Sequence, residues 1–218
     1  MEIKEKRKYT FTVEGETEKW YLDWLKKEIN SDADSKYTVI INATVQKHPL
    51  TFVKRQNAKS TPQITHLCDV ESAGTEDIRS FENVLKEMKK AKEEKKLKYL
   101  LGYSNLTFEL WMILHKMDCS GMLDSKSQYL PLINQAFGER FETLSKYKER
   151  DNFHRCLSKL SIEDVCKAVC RAETIMNSHK KIHREVNYAS YKYYKENPSL
   201  SIWVSIKQIL VDCGYIKK

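Results

Sequence analysis

The stretch Tyr9-Thr10-Phe11-Thr12-Val13-Glu14-Gly15 decides the fold that this sequence predicts. Aromatic, threonine and β-branched residues alternate up to Val13, which is typical of a β-strand. The strand pattern stops at Glu14-Gly15, and residues 16–29 then show the apolar spacing of a helix. Glu14 is therefore expected at a turn from a strand into a helix.

A second short strand ends in the same way. It is Gln63-Ile64-Thr65-His66-Leu67-Cys68, and Asp69 and Glu71 follow at its carboxyl end. In open α/β sheets, ligands bind in the crevice beyond the carboxyl ends of the strands. We therefore expect Glu14, Asp69 and Glu71 to share one site.

Three neighbouring carboxylates repel each other and resist ionisation unless a cation lies between them. No cluster of cysteine or histidine accompanies these acids, so hard oxygen ligands favour Mg²⁺ or Mn²⁺ over zinc. The alternative is that Glu14 is a solvated turn residue and that residues 69–74 begin an ordinary polar loop, because Asp, Ser and Gly are common in turns.

The first half of the chain continues to alternate the two patterns. Strand-like runs cover 37–45 and 98–103, and helical runs cover 49–56, 76–96 and 106–117. Such a βα repeat usually gives parallel strands joined by right-handed crossovers. The prediction is an α/β fold with a mostly parallel four-stranded sheet flanked by helices.

Strand patterns fade in the second half of the chain. Helical patterns cover 128–136, 140–147, 162–177 and 200–211, and Pro198-Ser199 is expected to begin the last helix. No linker rich in proline, glycine or serine separates the halves. We therefore predict a core over residues 1–117 and a helical C-terminal extension, residues 118–218, packed on it.

Composition favours a folded cytoplasmic protein. The chain has 218 residues, of which 41% are hydrophobic, with four prolines and six glycines. No apolar run approaches the roughly 20 residues that cross a bilayer, and residues 1–8 are charged, unlike a signal sequence. The six cysteines are scattered, which favours reduced core thiols over a disulfide framework or a zinc site.

The net charge of +8 favours polyanionic partners, although lysine-rich surfaces also occur on proteins that bind no nucleic acid. One stretch combines cations with rings that can stack on unpaired bases. Its candidate nucleic-acid contacts are Lys180, Lys181, Arg184 and Lys192, and its rings are Tyr188, Tyr191, Tyr193 and Tyr194. The alternative is a merely basic helix whose tyrosines pack on the core. A weaker basic cluster is formed by Lys146, Lys148, Arg150 and Arg155.

Glu109 interrupts the apolar segment 108–114, where an unpaired charge is costly. It is expected to face solvent or to lie near a cation. Asn105, four residues earlier, falls on the same face of the predicted helix, so both side chains can reach the end of the preceding strand. At roughly 100° per residue, His115 lies about 240° around the helix from Glu109, so the two do not share a face. We therefore expect a structural role for His115.

These patterns together resemble a known family. Glu14-Gly15 after the first strand, and the acid-x-acid pair Asp69-Val70-Glu71 after a later one, look like the Toprim domain of topoisomerases, primases and OLD-type nucleases. The chain resembles the RloB-like proteins more specifically, which lie within the Toprim group and include components of bacterial abortive-infection systems. The residues that carry this resemblance, over about residues 8–210, are Glu14-Gly15-Glu16-Thr17-Glu18, Tyr21-Leu22, Ser104-Asn105, Phe108-Glu109-Leu110-Trp111, His115 and Asn197-Pro198-Ser199.

The resemblance implies a Toprim-like, Rossmann-like fold and a metal-dependent nuclease that acts as the effector of an antiviral defence system. Glu14, Asp69 and Glu71 would hold Mg²⁺ or Mn²⁺. Glu109 would be a further catalytic residue, and the supporting residues would be Gly15, Asn105 and His115.

The same resemblance implies an RNA substrate such as tRNA, or else DNA, and an ATPase partner that restrains or triggers cleavage. One residue departs from the usual pattern, because many Toprim proteins have Asp-x-Asp where this chain has Asp69-Val70-Glu71. The extra methylene of Glu71 changes the reach of that carboxylate. The alternative function is a non-catalytic Toprim-like subunit that binds nucleic acid or a partner protein.

Overall fold

The computed structural model describes residues 4–55, 63–72 and 74–217 and shows a mixed α/β fold. The strands are β1 (Lys6–Val13), β2 (Thr38–Val45), β3 (Gln63–Asp69), β4 (Lys98–Asn105), β5 (Val186–Tyr188), β6 (Tyr191–Tyr193) and β7 (Ser199–Leu200). A five-stranded sheet has the order β2-β1-β3-β4-β7, and β5 pairs with β6 in a separate ribbon. Strands β1 to β4 are parallel, as predicted, whereas β7 runs antiparallel to β4. The predicted four-stranded sheet therefore gains a fifth, short strand.

Helices flank this sheet. They are α1 (Glu16–Ser31), α2 (Pro49–Arg55), α3 (Thr75–Lys95), α4 (Glu109–Leu114), α5 (Tyr129–Phe137), α6 (Leu144–Tyr147), α7 (Arg150–Leu157), α8 (Ile162–Ile182) and α9 (Ile202–Cys213). Gln56, the end of the predicted second helix, lies outside the described residues. Within the part of the chain that the structure describes, none of the helices has the length and apolar character that crossing a membrane requires.

The side chains of the sheet alternate between two apolar layers, as the pleat of a β-strand requires. Phe11 and Val13 of β1 join the larger layer, which also contains residues of α1, α4, α5, α7, α8 and α9. Thr12, between them, hydrogen-bonds with His66 and Tyr99. Residues of α2, α3 and the β5–β6 ribbon form the smaller layer. Helices thus cover both faces of the sheet.

The predicted helical extension is not purely helical. Strand β7 pairs with Ser104 and Asn105 of β4, so the last helix begins at Ile202 rather than at Pro198-Ser199. The predicted helix over 140–147 is reduced to α6, where the Thr143 side chain accepts a hydrogen bond from the Lys146 N–H. The extension shares its main apolar layer with the core strands.

The predicted helix over 106–117 is also shorter, since α4 covers only Glu109–Leu114, and pairing with β7 keeps Ser104 and Asn105 in strand β4. Asn105 and Glu109 therefore do not share a helix face, and that prediction was wrong. The Asn105 side-chain amide instead donates to the carbonyls of Tyr194 and Lys195, at 3.4 and 2.8 Å. Asn105 fastens the extension to the end of β4.

Candidate functional site

Two acids meet at the carboxyl edge of adjacent parallel strands. Glu14 directly follows β1, and Asp69 is the last residue of β3. The backbone N–H of Asp69 donates to Oε2 of Glu14 over 3.1 Å. The pairing of β1 with β3 therefore brings together two of the acids that the sequence placed at strand ends.

Glu18, in the first turn of α1, is a third acid beside this edge. Its side chain is buried, and the Thr17 hydroxyl donates to its Oε2 over 2.9 Å. A Cβ atom at Gly15 would lie 2.9 Å from the same Oε2. The missing side chain of Gly15 therefore leaves room for the Glu18 carboxylate.

Glu109, the first residue of α4, is the fourth acid and is fully buried. The Thr107 hydroxyl lies 3.3 Å from Oδ2 of Asp69 and 2.5 Å from Oε2 of Glu109. A hydroxyl has one hydrogen to donate, so Thr107 serves one of these carboxylates at a time. We call Glu14, Glu18, Asp69 and Glu109 the acid cluster.

Burial and mutual repulsion change the protonation of the acid cluster. Burial, followed by the charges of Glu18, Glu109 and Glu14, raises the pKa of Asp69 well above its ordinary value. Burial raises the pKa of Glu14 to about 7, although the Asp69 N–H opposes the shift. Burial also raises the pKa of Glu18, and the charge of Glu109 adds to this. The cluster therefore favours either bound protons or a bound cation.

Lys148 brings a positive charge to the acid cluster. It follows α6, in the extension, and its Nζ lies 3.1 Å from Oε1 of Glu109. Its side chain is 41% exposed, whereas that of Glu109 is 0% exposed. The Lys148 side chain therefore extends from the buried Glu109 carboxylate to the solvent.

Glu71 lies at the rim of the site. Its φ of +71° is in the left-handed region, and its half-exposed side chain forms an ion pair with Lys126. The Glu71 N–H donates to the Leu106 carbonyl over 3.0 Å, which fixes the backbone beside the end of β4. The charge of Glu71 contributes to the raised pKa of Glu14. Its predicted role as a metal ligand stays a prediction.

Comparison with known proteins identifies the family. A family model for RloB-like proteins matches residues 9–209. The chain belongs to the RloB-like family. Neither the curated proteins nor the solved structures gave a significant match. The region of this RloB-like protein that the family model matches contains all four residues of the acid cluster, together with Lys148 and β7.

His115 of this RloB-like protein lies in the core, where its ring is fully buried. Its Nδ1 donates to the Trp111 carbonyl over 2.8 Å, and its Nε2 therefore accepts from the Tyr21 hydroxyl over 3.1 Å. Burial lowers the pKa of His115 to about 4. These contacts support the structural role that we expected for His115.

The basic stretch of this RloB-like protein exposes cations but few rings. Lys180, Lys181 and Arg184 are exposed, while Lys192 pairs with Glu185 over 2.6 Å. Three of the four tyrosines are buried, namely Tyr191, Tyr193 and Tyr194. For these three rings the structure favours the alternative given above, packing on the core, over base stacking.

The chemistry of the acid cluster suits a hard divalent cation, although no ready-made coordination sphere is present. Among residues 4–55, 63–72 and 74–217, no group of three or more His, Cys, Asp or Glu side chains was found that could hold a metal ion. Glu14, Glu18, Asp69 and Glu109 nevertheless offer oxygen ligands, which Mg²⁺ and Mn²⁺ prefer. Lys148 offsets only part of their negative charge.

Sequence reasoning about this RloB-like protein missed Glu18, Thr107 and Lys148 as site residues. The sequence did offer a signal for Glu18, because this acid falls on the apolar face of α1 that Tyr21, Leu22 and Leu25 form. An acid on an apolar stripe needs a cation or a proton. Lys148 gave no comparable sign, since it approaches Glu109 only through the tertiary fold.

Proposed function

We propose that this RloB-like protein is a Mg²⁺- or Mn²⁺-dependent nuclease with a Toprim-like site. The observation that carries the proposal is the acid cluster, in which partly buried carboxylates from the ends of β1 and β3 meet the fully buried Glu109 of α4. This is the edge at which parallel α/β sheets bind ligands. Buried acids with raised pKa values are frequent at functional sites.

Glu14 and Asp69 would hold the metal, with Glu18 and Glu109 as the nearest further ligands and Glu71 at the rim. When bound, the metal would polarise a phosphoryl oxygen and lower the pKa of a bound water. Glu14 is oriented by the Asp69 N–H, and Thr107 orients Asp69 or Glu109. Fixed carboxylates of this kind reduce the reorganisation that a reaction requires.

Lys148 is the cation best placed to contact a scissile phosphate. Its ammonium group lies beside the acid cluster, and its half-exposed side chain reaches solvent. A phosphate that entered the site would offer this ammonium group a second anionic partner. We assign Lys148 the role of offsetting the charge of the phosphate.

The proposed substrate is RNA, for example tRNA, or DNA. The net charge of +8 and the exposed Lys180, Lys181 and Arg184 favour contact with a phosphate backbone. The family resemblance supports a role as an effector of antiphage abortive infection, with an ATPase partner that controls cleavage. We propose both on that resemblance.

A non-catalytic subunit is the second candidate. The observation that favours it is the ion pair between Lys148 and Glu109, which already neutralises one acid without any metal. In that case the acid cluster would have a structural role, and the protein would bind nucleic acid or a partner.

Expression in bacteria separates these candidates. Wild type and the variants Glu14→Gln, Glu18→Gln, Asp69→Asn and Glu71→Gln would be produced with and without the ATPase encoded beside the gene, if there is one. Growth would be scored, and new RNA and DNA ends would be sequenced. Glu16→Gln is the matched control, because Glu16 is an exposed carboxylate in the same helical turn as Glu18.

A nuclease predicts toxicity with discrete new ends for wild type and Glu16→Gln, and neither for Glu14→Gln, Glu18→Gln or Asp69→Asn. Circular dichroism and thermal melting would establish that the inactive variants are folded. If wild type and these folded variants behave alike in both settings, the nuclease proposal is overturned in favour of the binding subunit.

A further inference from the structure

Strand β2 lies at the outer edge of the five-stranded sheet, beside β1. The Thr38 N–H donates to the Glu5 carbonyl, and the Gln46 N–H donates to the Val13 carbonyl, so the even-numbered residues of β2 bond to β1. Successive residues of a strand point their backbone groups to opposite sides. The odd-numbered residues of β2 therefore present their N–H and C=O groups at the outer edge.

Asn30, near the end of α1, covers one residue of this edge. Its side-chain amide donates to the Val39 carbonyl over 2.9 Å, and its Oδ1 accepts from the Val39 N–H over 2.8 Å. Asn30 thus takes the place of a neighbouring strand at Val39. In the part of the chain that the structure describes, no hydrogen bond joins the backbone groups of Ile41, Ala43 or Val45 to another residue. These three residues form the open part of the edge.

The sequence of β2 does not protect this edge. Edge strands of natural proteins usually carry charged residues, proline or bulges that prevent pairing with another chain. Thr38–Val45 is eight residues long and contains no charged residue, proline or glycine. The side chains of Ile40 and Val45 are 37% and 38% exposed. The strand therefore has the properties of one that pairs with a further strand.

We propose that β2 pairs with β2 of a second copy of this chain, antiparallel and about a twofold axis at Ala43. In this register Ile41 lies opposite Val45 of the other copy, and Ala43 lies opposite its own counterpart. Residues that face each other in hydrogen-bonded pairs exchange both of their N–H···O bonds. Every open group of the three residues then has a partner, so the open edge is complementary to itself, as a twofold interface requires.

The surroundings of the edge also suit a second copy. A groove beside the strand is lined by residues 41–44 of β2 together with Asp23 and Lys26 of α1. Lys26 Nζ lies 2.9 Å from Oδ1 of Asp23, so the groove carries both signs of charge. The twofold axis turns this groove toward that of the other copy, where opposite charges can meet across the interface.

This pairing would join the two sheets into one continuous sheet. Because the twofold axis reverses the strand direction, the acid clusters of the two copies would open at opposite edges of that sheet. Each copy would therefore keep its own site free. The dimer does not depend on the proposed nuclease activity.

Sedimentation equilibrium of the purified full-length chain, from about 5 to 500 µM, tests the proposal. Interfaces of this small size are weak, so we expect a Kd on the order of tens of micromolar. Hydrogen exchange resolved by residue locates the interface. The Ile41, Ala43 and Val45 amides should exchange at least about threefold more slowly at the high concentration. The Thr44 amide, which points to β1, is the internal control and should not change.

Charge variants test the register. Asn42 lies opposite Thr44 of the other copy in the proposed pairing, and both side chains are exposed. Asn42→Lys/Thr44→Lys would place like charges opposite each other and should weaken the dimer about tenfold. Asn42→Lys/Thr44→Glu is the matched control, because it would place opposite charges there and should keep the Kd within about threefold of wild type. Circular dichroism would establish that both variants are folded.

A wild-type chain that stays monomeric over the whole concentration range would overturn the proposal and leave the edge to a strand of another protein. A dimer whose Ile41, Ala43 and Val45 amides exchange at an unchanged rate would use a different surface and would also refute it. Equal dissociation constants for the two folded charge variants would contradict the twofold register. None of these outcomes involves cleavage, so this proposal and the nuclease proposal succeed or fail separately.

Discussion

Lys148 Nζ lies 3.1 Å from Glu109 Oε1, so a residue of the extension neutralises an acid that is buried in the core. The partners are 39 residues apart in sequence. Their contact links the two predicted parts of the chain at the site. Its removal leaves a buried carboxylate without a cation.

Lys148→Ala should therefore destabilise the fold. Breaking a fully buried ion pair costs about 3–5 kcal/mol, and the exposure of Lys148 reduces our expectation to about 1–3 kcal/mol. Urea unfolding measures the change. Lys146→Ala is the control, because the Lys146–Glu149 pair is exposed, and it should cost less than about 0.5 kcal/mol. Equal losses in the two variants would contradict the role given to Glu109.

The raised pKa of Glu14 predicts a pH dependence. Burial raises this pKa to about 7 from an ordinary 4.5, so between these values the folded protein keeps a proton that the unfolded chain releases. Stability without metal should therefore fall as pH rises through this window, by up to about 3 kcal/mol from Glu14.

Glu14→Gln should flatten that loss, whereas Glu16→Gln should keep the wild-type profile. Urea midpoints measured between pH 4.5 and 8 test this. A wild-type profile in Glu14→Gln would show that Glu14 does not hold the proton.

Magnesium should stabilise the protein through the acid cluster. If 10 mM Mg²⁺ is about ten times its dissociation constant, binding adds about 1.4 kcal/mol, or roughly 3–6 °C in melting temperature. The shift should be larger at pH 8 than at pH 5.5, because the ion competes with protons for the carboxylates. Differential scanning fluorimetry measures it. A shift of the same size in Asp69→Asn would place the ion elsewhere.

Glu18 and Glu71 should differ in their effects on cleavage. Glu18 is buried beside Glu14, whereas Glu71 is half exposed and paired with Lys126. We expect Glu18→Gln to reduce cleavage by about 100-fold or more, as loss of a charge-stabilising group does, and Glu71→Gln to reduce it less. Equal losses would return Glu71 to the metal site that the sequence predicted.

Gly102, in the middle of β4, tests the packing of the sheet. A Cβ atom there would lie 2.5 Å from Cδ2 of Leu67. Gly102→Ala should therefore destabilise the protein by about 1–3 kcal/mol. Gly121→Ala is the matched control, since nothing lies within 4 Å of its added Cβ. Unchanged urea midpoints for both variants would contradict the close contact.

The elements of the fold that could be predicted are those whose residues form a local pattern in the sequence. Strand β1 alternates its residue types, and α3 repeats its apolar residues at helical spacing. Strand β7 has only two residues, which is too short to show a period, and its pairing with β4 is set by the tertiary fold. The sequence could not decide between base stacking and inward packing for Tyr193, because composition does not say which way a ring points.

The candidate site, too, could be predicted where a local sequence pattern exists and not where the tertiary fold decides. Glu14 and Asp69 could be predicted together, because each follows a recognisable strand and parallel strands end at one edge. Glu71 follows the same strand, but its left-handed backbone places it beside Lys126. The approach of Lys148 to Glu109 depends on how α6 packs, which no local pattern specifies.

Strand β7 also has a consequence for the order in which the protein is made. Its residues pair with Ser104 and Asn105, which leave the ribosome about 95 residues earlier. Until then the edge of β4 is open, and such distant pairings form late in folding. Glu14 and Asp69 are synthesised before Lys148, and Lys148 before β7. A growing chain therefore carries the acids before the parts that complete their surroundings have been made.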